Sequence, residues 1–180
     1  MSRLDKKKIL ITQSQDYMGP AITDLFQAEG AHLICKQGPV PGQGSLEDYA
    51  ADCSDIDILI ANLAHDPCNS PVSNILDADW QALFDSMVHP LMVLIRHFAP
   101  IMAARGHGKI IAITSAAPLR GIPGSTAYCA ARGAQNAFIR ACGLEYAPEN
   151  VQINAIAQNY VSNPVYYPEE LVNSERFQTH

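Results

Sequence analysis

The sequence predicts an α/β domain built on a parallel sheet with helices on both faces, and three observations carry that reading. Short apolar runs rich in β-branched residues recur along the chain: KKILIT (Lys7 to Thr12), HLICK (His32 to Lys36), IDILIAN (Ile56 to Asn62), KIIAITS (Lys109 to Ser115) and VQINAIA (Val151 to Ala157). Continuous hydrophobicity of this kind marks strands covered on both faces. The segments between them carry apolar residues at helical spacing, which right-handed crossovers wind into a three-layer, Rossmann-like, doubly wound sheet. No repeat, low-complexity tract or linker interrupts the 180 residues, so a single domain over 1–180 is expected.

The elements follow in order. After the first strand, Pro20 stands where a first helical turn tolerates proline, and Ile22, Leu25 and Phe26 give the following helix its apolar side until Gly30 stops it. The proline- and glycine-rich QGPVPGQG after the second strand reads as a loop. Ser45 is placed to cap a short helix, with Asp48 three residues on. Leu63 to Ile75 reads as a loop, and Asp77 as the cap of a helix carrying Trp80, Leu83, Phe84 and Met87. Trp80 and Met87 are expected in the core. Pro90 is expected to kink or break that helix, and Leu91 to Arg105 continues it up to Gly106 and Gly108. A long helix is expected over Ala127 to Tyr146, and an irregular, weakly helical segment after Ala157.

Composition narrows the function. With 48% hydrophobic and 17% charged residues the chain has the make-up of a soluble globular protein. A net charge of −6 argues against nucleic acid as a partner. No apolar run reaches the ~18 residues needed to span a bilayer, and no signal-peptide pattern opens the chain, so no membrane partner is expected. Five cysteines without a Cys-x-x-Cys pair fit reduced thiols in a cytoplasm. Six scattered histidines show no metal-ligand spacing, and no metal is expected.

The chemistry concentrates in SAAPLRGIPGSTAYCAAR, Ser115 to Arg132. Tyr128 and Arg132 are four residues apart and so share one helical face. Ser115 ends a strand, and ligands in open α/β sheets sit beyond those ends. A hydroxyl, a phenol and a permanent cation are thus in reach of one point; the plainer alternative is a strand-end cap beside a surface helix pair. The turn after the first strand reads Thr12-Gln13-Ser14-Gln15-Asp16-Tyr17-Met18-Gly19. A dinucleotide loop needs glycines for close backbone approach to the pyrophosphate. Here one glycine remains, Tyr17 fills the space and Asp16 adds a negative charge, so no nicotinamide cofactor is expected.

Strand–Ser115, Tyr128 thirteen residues on and a basic residue at 132 resemble the short-chain dehydrogenase/reductase superfamily. Thr12 to Gly19 stands at its cofactor loop, Asn62 in IANLA at its Asn-Asn-Ala-Gly position, and NAIAQNYVSNP at its strand and Pro-Gly turn. The departures resemble the halohydrin dehalogenases within it: Arg132 for lysine, Met87 at the relay asparagine, Tyr17 in the glycine loop, and Gln158-Asn159 at the Pro-Gly. That resemblance implies cofactor-independent loss of halide from a vicinal halohydrin to give an epoxide, and the reverse opening by small anions. Tyr128 would be the base, favoured as phenolate by the fixed cation of Arg132, with Ser115 holding the substrate oxygen. Halide would rest against Gln158, Asn159, Tyr160 and Val161, a candidate anion-binding turn, with Tyr17 and Tyr167 as walls. Cys129, beside Tyr128, is given no role.

The alternatives are an NAD(P)-dependent oxidoreductase with an altered loop, and an inactive Rossmann-like interaction module. The resemblance also implies a homotetramer built through the Ala127–Tyr146 helix. It further implies that the chain stops short of the family's last helix and strand.

Overall fold

The computed structural model describes residues 2–41, 46–66, 68–161 and 167–178. Five parallel strands form one sheet in the order β2-β1-β3-β4-β5: β1 Lys8–Ile11, β2 His32–Cys35, β3 Ile58–Asn62, β4 Gly108–Ser115 and β5 Val151–Gln158. The register sets Lys8 against His32, Ile9 against Ile58, Ile58 against Lys109, and Gly108 against Val151. Helices α1 (Gly19–Ala28), α2 (Leu46–Tyr49), α3 (Asp77–Leu83), α4 (His89–Ala104), α5 (Ala117–Arg120) and α6 (Thr126–Tyr146) connect them, and α7 (Glu169–Val172) and α8 (Glu175–Gln178) follow. Strand positions match the sequence reading to within two residues at each end.

Alternation along each strand sorts the apolar residues to two faces. Leu10, Leu59, Ala61, Ile110 and Ala112 face Leu91, Leu94, Phe98 and Met102 of α4 and Ile139 of α6. Ile9, Ile11, Ile58, Ile60 and Ile113 face the other way, where Ile22 and Phe26 of α1 pack on them. All five residues of β3 are buried, as expected of a central strand. Leu25 departs from the expected apolar side of α1 and is exposed.

The helix through 77–104 does not break at Pro90. Proline lacks an N–H and crowds the preceding turn. The chain absorbs this in a π turn over Phe84–Val88, where His89 N–H donates to Phe84 O, and Pro90 then opens α4. By length and composition this helix is apolar enough to cross a membrane, but half of its most apolar window is buried in the fold, which makes it a core helix. Met87 is fully buried as expected, whereas Trp80 is 40% exposed and stacks on Phe84 at 5.1 Å. Asp77 lies within α3, and no side chain caps its start at Leu76. Ser45, expected as a cap, lies outside the described residues.

Among the described residues the link from β2 to β3 carries α2 alone, and it packs Val40, Leu46, Ala50 and Cys53 onto the α4 side of the core. The sheet therefore ends at β2, in an order shared with flavodoxin-like folds rather than the 3-2-1-4-5-6 arrangement of the larger dinucleotide domains.

Candidate active site

Residues from the carboxyl ends of β3, β4 and β5 surround a cavity of about 270 Å³. Ser115, Tyr128 and Arg132 all line it, so the three residues singled out by spacing do converge. Tyr17, Gln158, Asn159, Val161 and Tyr167 line it too. Tyr160 does not: it is 48% exposed and packs edge-on against Tyr167 at 5.4 Å and Phe177 at 5.2 Å. That corrects its expected place at the anion site; its ring props Tyr167, the wall, from behind.

Arg132 is the centre of the site. It is 4% exposed, and its Nε donates to Tyr128 Oη at 3.1 Å, with the guanidinium 5.3 Å from the phenol ring centre. Nη1 donates to Leu63 O at 2.9 Å, to Ile113 O at 3.2 Å and to Gln135 Oε1 at 2.9 Å. These acceptors are neutral, and among the described residues no carboxylate forms an ion pair with this cation. Its charge is thus held by carbonyl dipoles at the ends of β3 and β4 and left to act on the cavity.

Ser115 Oγ accepts from Ala117 N–H at 3.0 Å, which leaves its own O–H to donate. Its carbonyl accepts from Asn136 Nδ2 at 3.0 Å, and Ala116 N–H donates to Gln158 O at 2.7 Å, tying the ends of β4 and β5 together. Asn159 Oδ1 accepts from Arg120 at 2.7 Å, and the same guanidinium lies 5.4 Å from the Tyr160 ring. Burial raises the Tyr167 hydroxyl above its ordinary pKa, with Tyr160 and Tyr128 adding to the effect.

The turn after β1 is built for packing. Gln13 (φ +44°) and Tyr17 (φ +52°) adopt the left-handed backbone that glycine takes most easily. Gly19 is kept because a Cβ there would stand 2.5 Å from Gln13 O and 2.6 Å from the Ser14 carbonyl carbon. The glycine that fits helix to turn survives, and the positions where backbone must meet a ligand carry side chains. Gln13 turns inward to accept from Ala64 N–H at 3.0 Å, while Asn62 Nδ2 donates to Gln13 O at 2.9 Å and Asp16 O at 3.0 Å. Tyr17 Oη donates to Asp66 at 3.1 Å, and burial, with Asp66 next, pushes its pKa up to about 12. The nicotinamide dinucleotide usual in a Rossmann-like fold does not fit this turn: the Tyr17 ring stands in the cavity wall, and Asp16 and Asp66 place negative charge beside it, with Arg132 the opposing cation. Among the described residues no three His, Cys, Asp or Glu side chains gather to hold a metal.

A family model described as short chain dehydrogenase matches residues 5–169. The chain belongs to the short-chain dehydrogenase family. Nodulation protein G of Rhizobium sp. (strain N33) is 31% identical over 91% of this chain and 76% of its own length. Dehydrogenase/reductase SDR family member 4 of Bos taurus is 26% identical over 88% of this chain and 67% of its own. Among solved structures, one named "Dehalogenation enzyme" superposes with a TM-score of 0.84 at 25% identity, covering 99% of this chain and 82% of that one. The short-chain dehydrogenase fold therefore stands.

Sequence reasoning missed four residues that shape this site. Gln135 and Asn136 sit on α6 as ordinary polar residues, and nothing in their spacing marks them. Arg120 ends the short helix α5 and Asp66 lies in the loop after β3, and the partners of both are set only by the folded chain.

Proposed function

We propose that this chain acts on a small vicinal halohydrin without a nucleotide cofactor, closing it to an epoxide with release of halide. One observation carries the reading: Tyr17, in a glycine-type backbone position, places its ring in the wall of the cavity that holds Tyr128 and Arg132. Where a dinucleotide would lie there is a phenol held by a carboxylate. A cavity of about 270 Å³ is at the lower edge of small-molecule sites, which run from ~300 Å³ upward, and suits a short alcohol.

The residues supply the two things such a reaction needs. Ser115 O–H donates to the substrate oxygen and holds it beside Tyr128. Tyr128, as phenolate, takes the hydroxyl proton; the oxygen's electron pair forms the new C–O bond at the neighbouring carbon, and the carbon–halogen pair leaves with the halide. Arg132 Nε–H supports the negative charge on the Tyr128 oxygen before transfer. The departing anion meets the end of β5 at Gln158, Asn159 and Val161 and the ring edges of Tyr17 and Tyr167. The C–O pair that forms replaces the C–halogen pair that leaves, so the step involves no net oxidation or reduction and requires no redox partner.

A second reading is an NAD(P)-dependent oxidoreductase. The names of the family and of its Bos taurus relative favour it, and by sequence relationship it has the broader support. The short turn after β1 stands against it. Halide release from bromo- and chloro-propanols, assayed with and without NADPH, separates the two. Release without nucleotide, falling ~10²–10⁴-fold in Tyr128→Phe and by a similar factor in Arg132→Lys, is expected. Saturable NADPH binding together with nucleotide-dependent alcohol oxidation and no halide release would overturn the proposal. A small-anion partner and a homotetramer belong to the same proposal; light scattering of the purified chain tests the second.

A further inference from the structure

We propose that Gln135 is a positioning residue for the catalytic arginine: it fixes the plane of the Arg132 guanidinium without neutralising its charge. The inference rests on the halohydrin reading for its kinetic consequence, but not for its geometry.

Gln135 is 1% exposed and lies three residues beyond Arg132 on the same face of α6. Its amide is used at both ends. Oε1 accepts from Arg132 Nη1 at 2.9 Å, and Nε2 donates to Met87 O at 2.8 Å. Met87 belongs to the π turn that Pro90 follows, so the helix irregularity supplies the carbonyl on which the amide is anchored. A guanidinium is planar and rigid. Two backbone carbonyls, Leu63 O and Ile113 O, hold Nη1 from the sheet side, and Gln135 holds it from the helix side. With Nη1 fixed from both sides, the direction of Nε–H is fixed as well, and it points at Tyr128 Oη.

The neutrality of the amide matters as much as its reach. A carboxylate here would accept the same hydrogen bond but form an ion pair, cancelling the field that Arg132 exerts on the phenol and the cavity. A buried amide satisfied at both ends also serves stability, and stability alone would make Gln135 a packing residue; the distinguishing property is the order it imposes on Arg132.

The test compares Gln135→Met and Gln135→Glu with the wild-type chain by two readouts. The first is independent of activity: the Arg132 Nε–H cross-peak in a ¹H–¹⁵N spectrum, assigned by its loss in Arg132→Lys. Slow solvent exchange of this proton is expected in the wild type and in Gln135→Glu, which keeps the acceptor. Fast exchange is expected in a folded Gln135→Met. The second is halide release. A kcat lower by about ten- to a hundredfold with KM within about twofold is expected for Gln135→Met, from misplacement, and for Gln135→Glu, from charge cancellation. An Arg132 signal equally protected in all three proteins, with only thermal stability changed, would overturn the proposal. If the wild type releases no halide while the Arg132 signal behaves as expected, the halohydrin reading fails and the positioning role stands.

Discussion

At the scale of residues, the decisive substitutions are those that put side chains where backbone would otherwise meet a ligand. Tyr17 is the clearest. Its hydroxyl is a donor to Asp66, and its pKa is raised to about 12 by burial and that carboxylate. A group whose folded pKa exceeds its unfolded value, ~10 for tyrosine, contributes stability that is complete below pH 10 and lost as pH climbs through 12. Urea midpoints measured at pH 9, 10 and 11 are therefore expected to fall faster in the wild type than in Tyr17→Phe; equal slopes would show that the Asp66 contact carries no such linkage. Tyr17 was legible because a missing glycine is visible in a sequence. Tyr128 and Arg132 were legible because i, i+4 spacing fixes a shared face whatever the surroundings. Gln135 was not, because one more polar residue on a 21-residue helix gains meaning only when Met87 is brought opposite it. Tyr160 was misplaced for a related reason: membership of a turn does not say which of its side chains faces the cavity, and the Tyr160 ring packs on Tyr167 and Phe177 instead.

At the scale of elements, a glycine in the turn from β1 into α1 and one in the helix α6 stand in different surroundings. At Gly19 an added Cβ would strike backbone atoms of Gln13 and Ser14, which cannot swing away. At Gly133, inside α6, it would meet only Pro118 Cβ at 3.5 Å, an ordinary contact. Gly19→Ala is expected to cost about 1–3 kcal/mol through overpacking. Gly133→Ala is expected to gain up to about 1 kcal/mol from helix propensity. Chemical denaturation of the two variants checks both signs at once. The strands were readable because apolar, β-branched runs of this length have few other uses. The π turn was not: Pro90 announced a disturbance, but whether a helix breaks or loosens by one residue depends on what packs against it. Here buried Met87 and Leu83 keep the helix continuous.

At the scale of the molecule, the site sits beyond the strand ends because the crossovers leave a crevice there, and the same sheet dictates where opening begins. Amide exchange is expected to be slowest in β3 and in Ile9–Ile11 and Ile110–Thr114, and faster in β2 and in the half-buried to exposed Ala155–Gln158 end of β5. Uniform protection across all five strands would contradict this. The doubly wound architecture was visible from alternation alone; the order was not, since it depends on which side of β1 each later strand joins. That order has a consequence for how the chain is made. Every strand pairing joins residues far apart in sequence, such as Ile9 with Ile58 and Ile58 with Lys109, which slows folding. Yet β2 adds to one side of β1, and β3, β4 and β5 then add in turn to the other. No strand must be wedged between two already joined. As the chain leaves the ribosome, the sheet can widen by one strand at a time in the order of synthesis, and the arginine's two carbonyl anchors, just past β3 and on β4, are made before its own helix emerges.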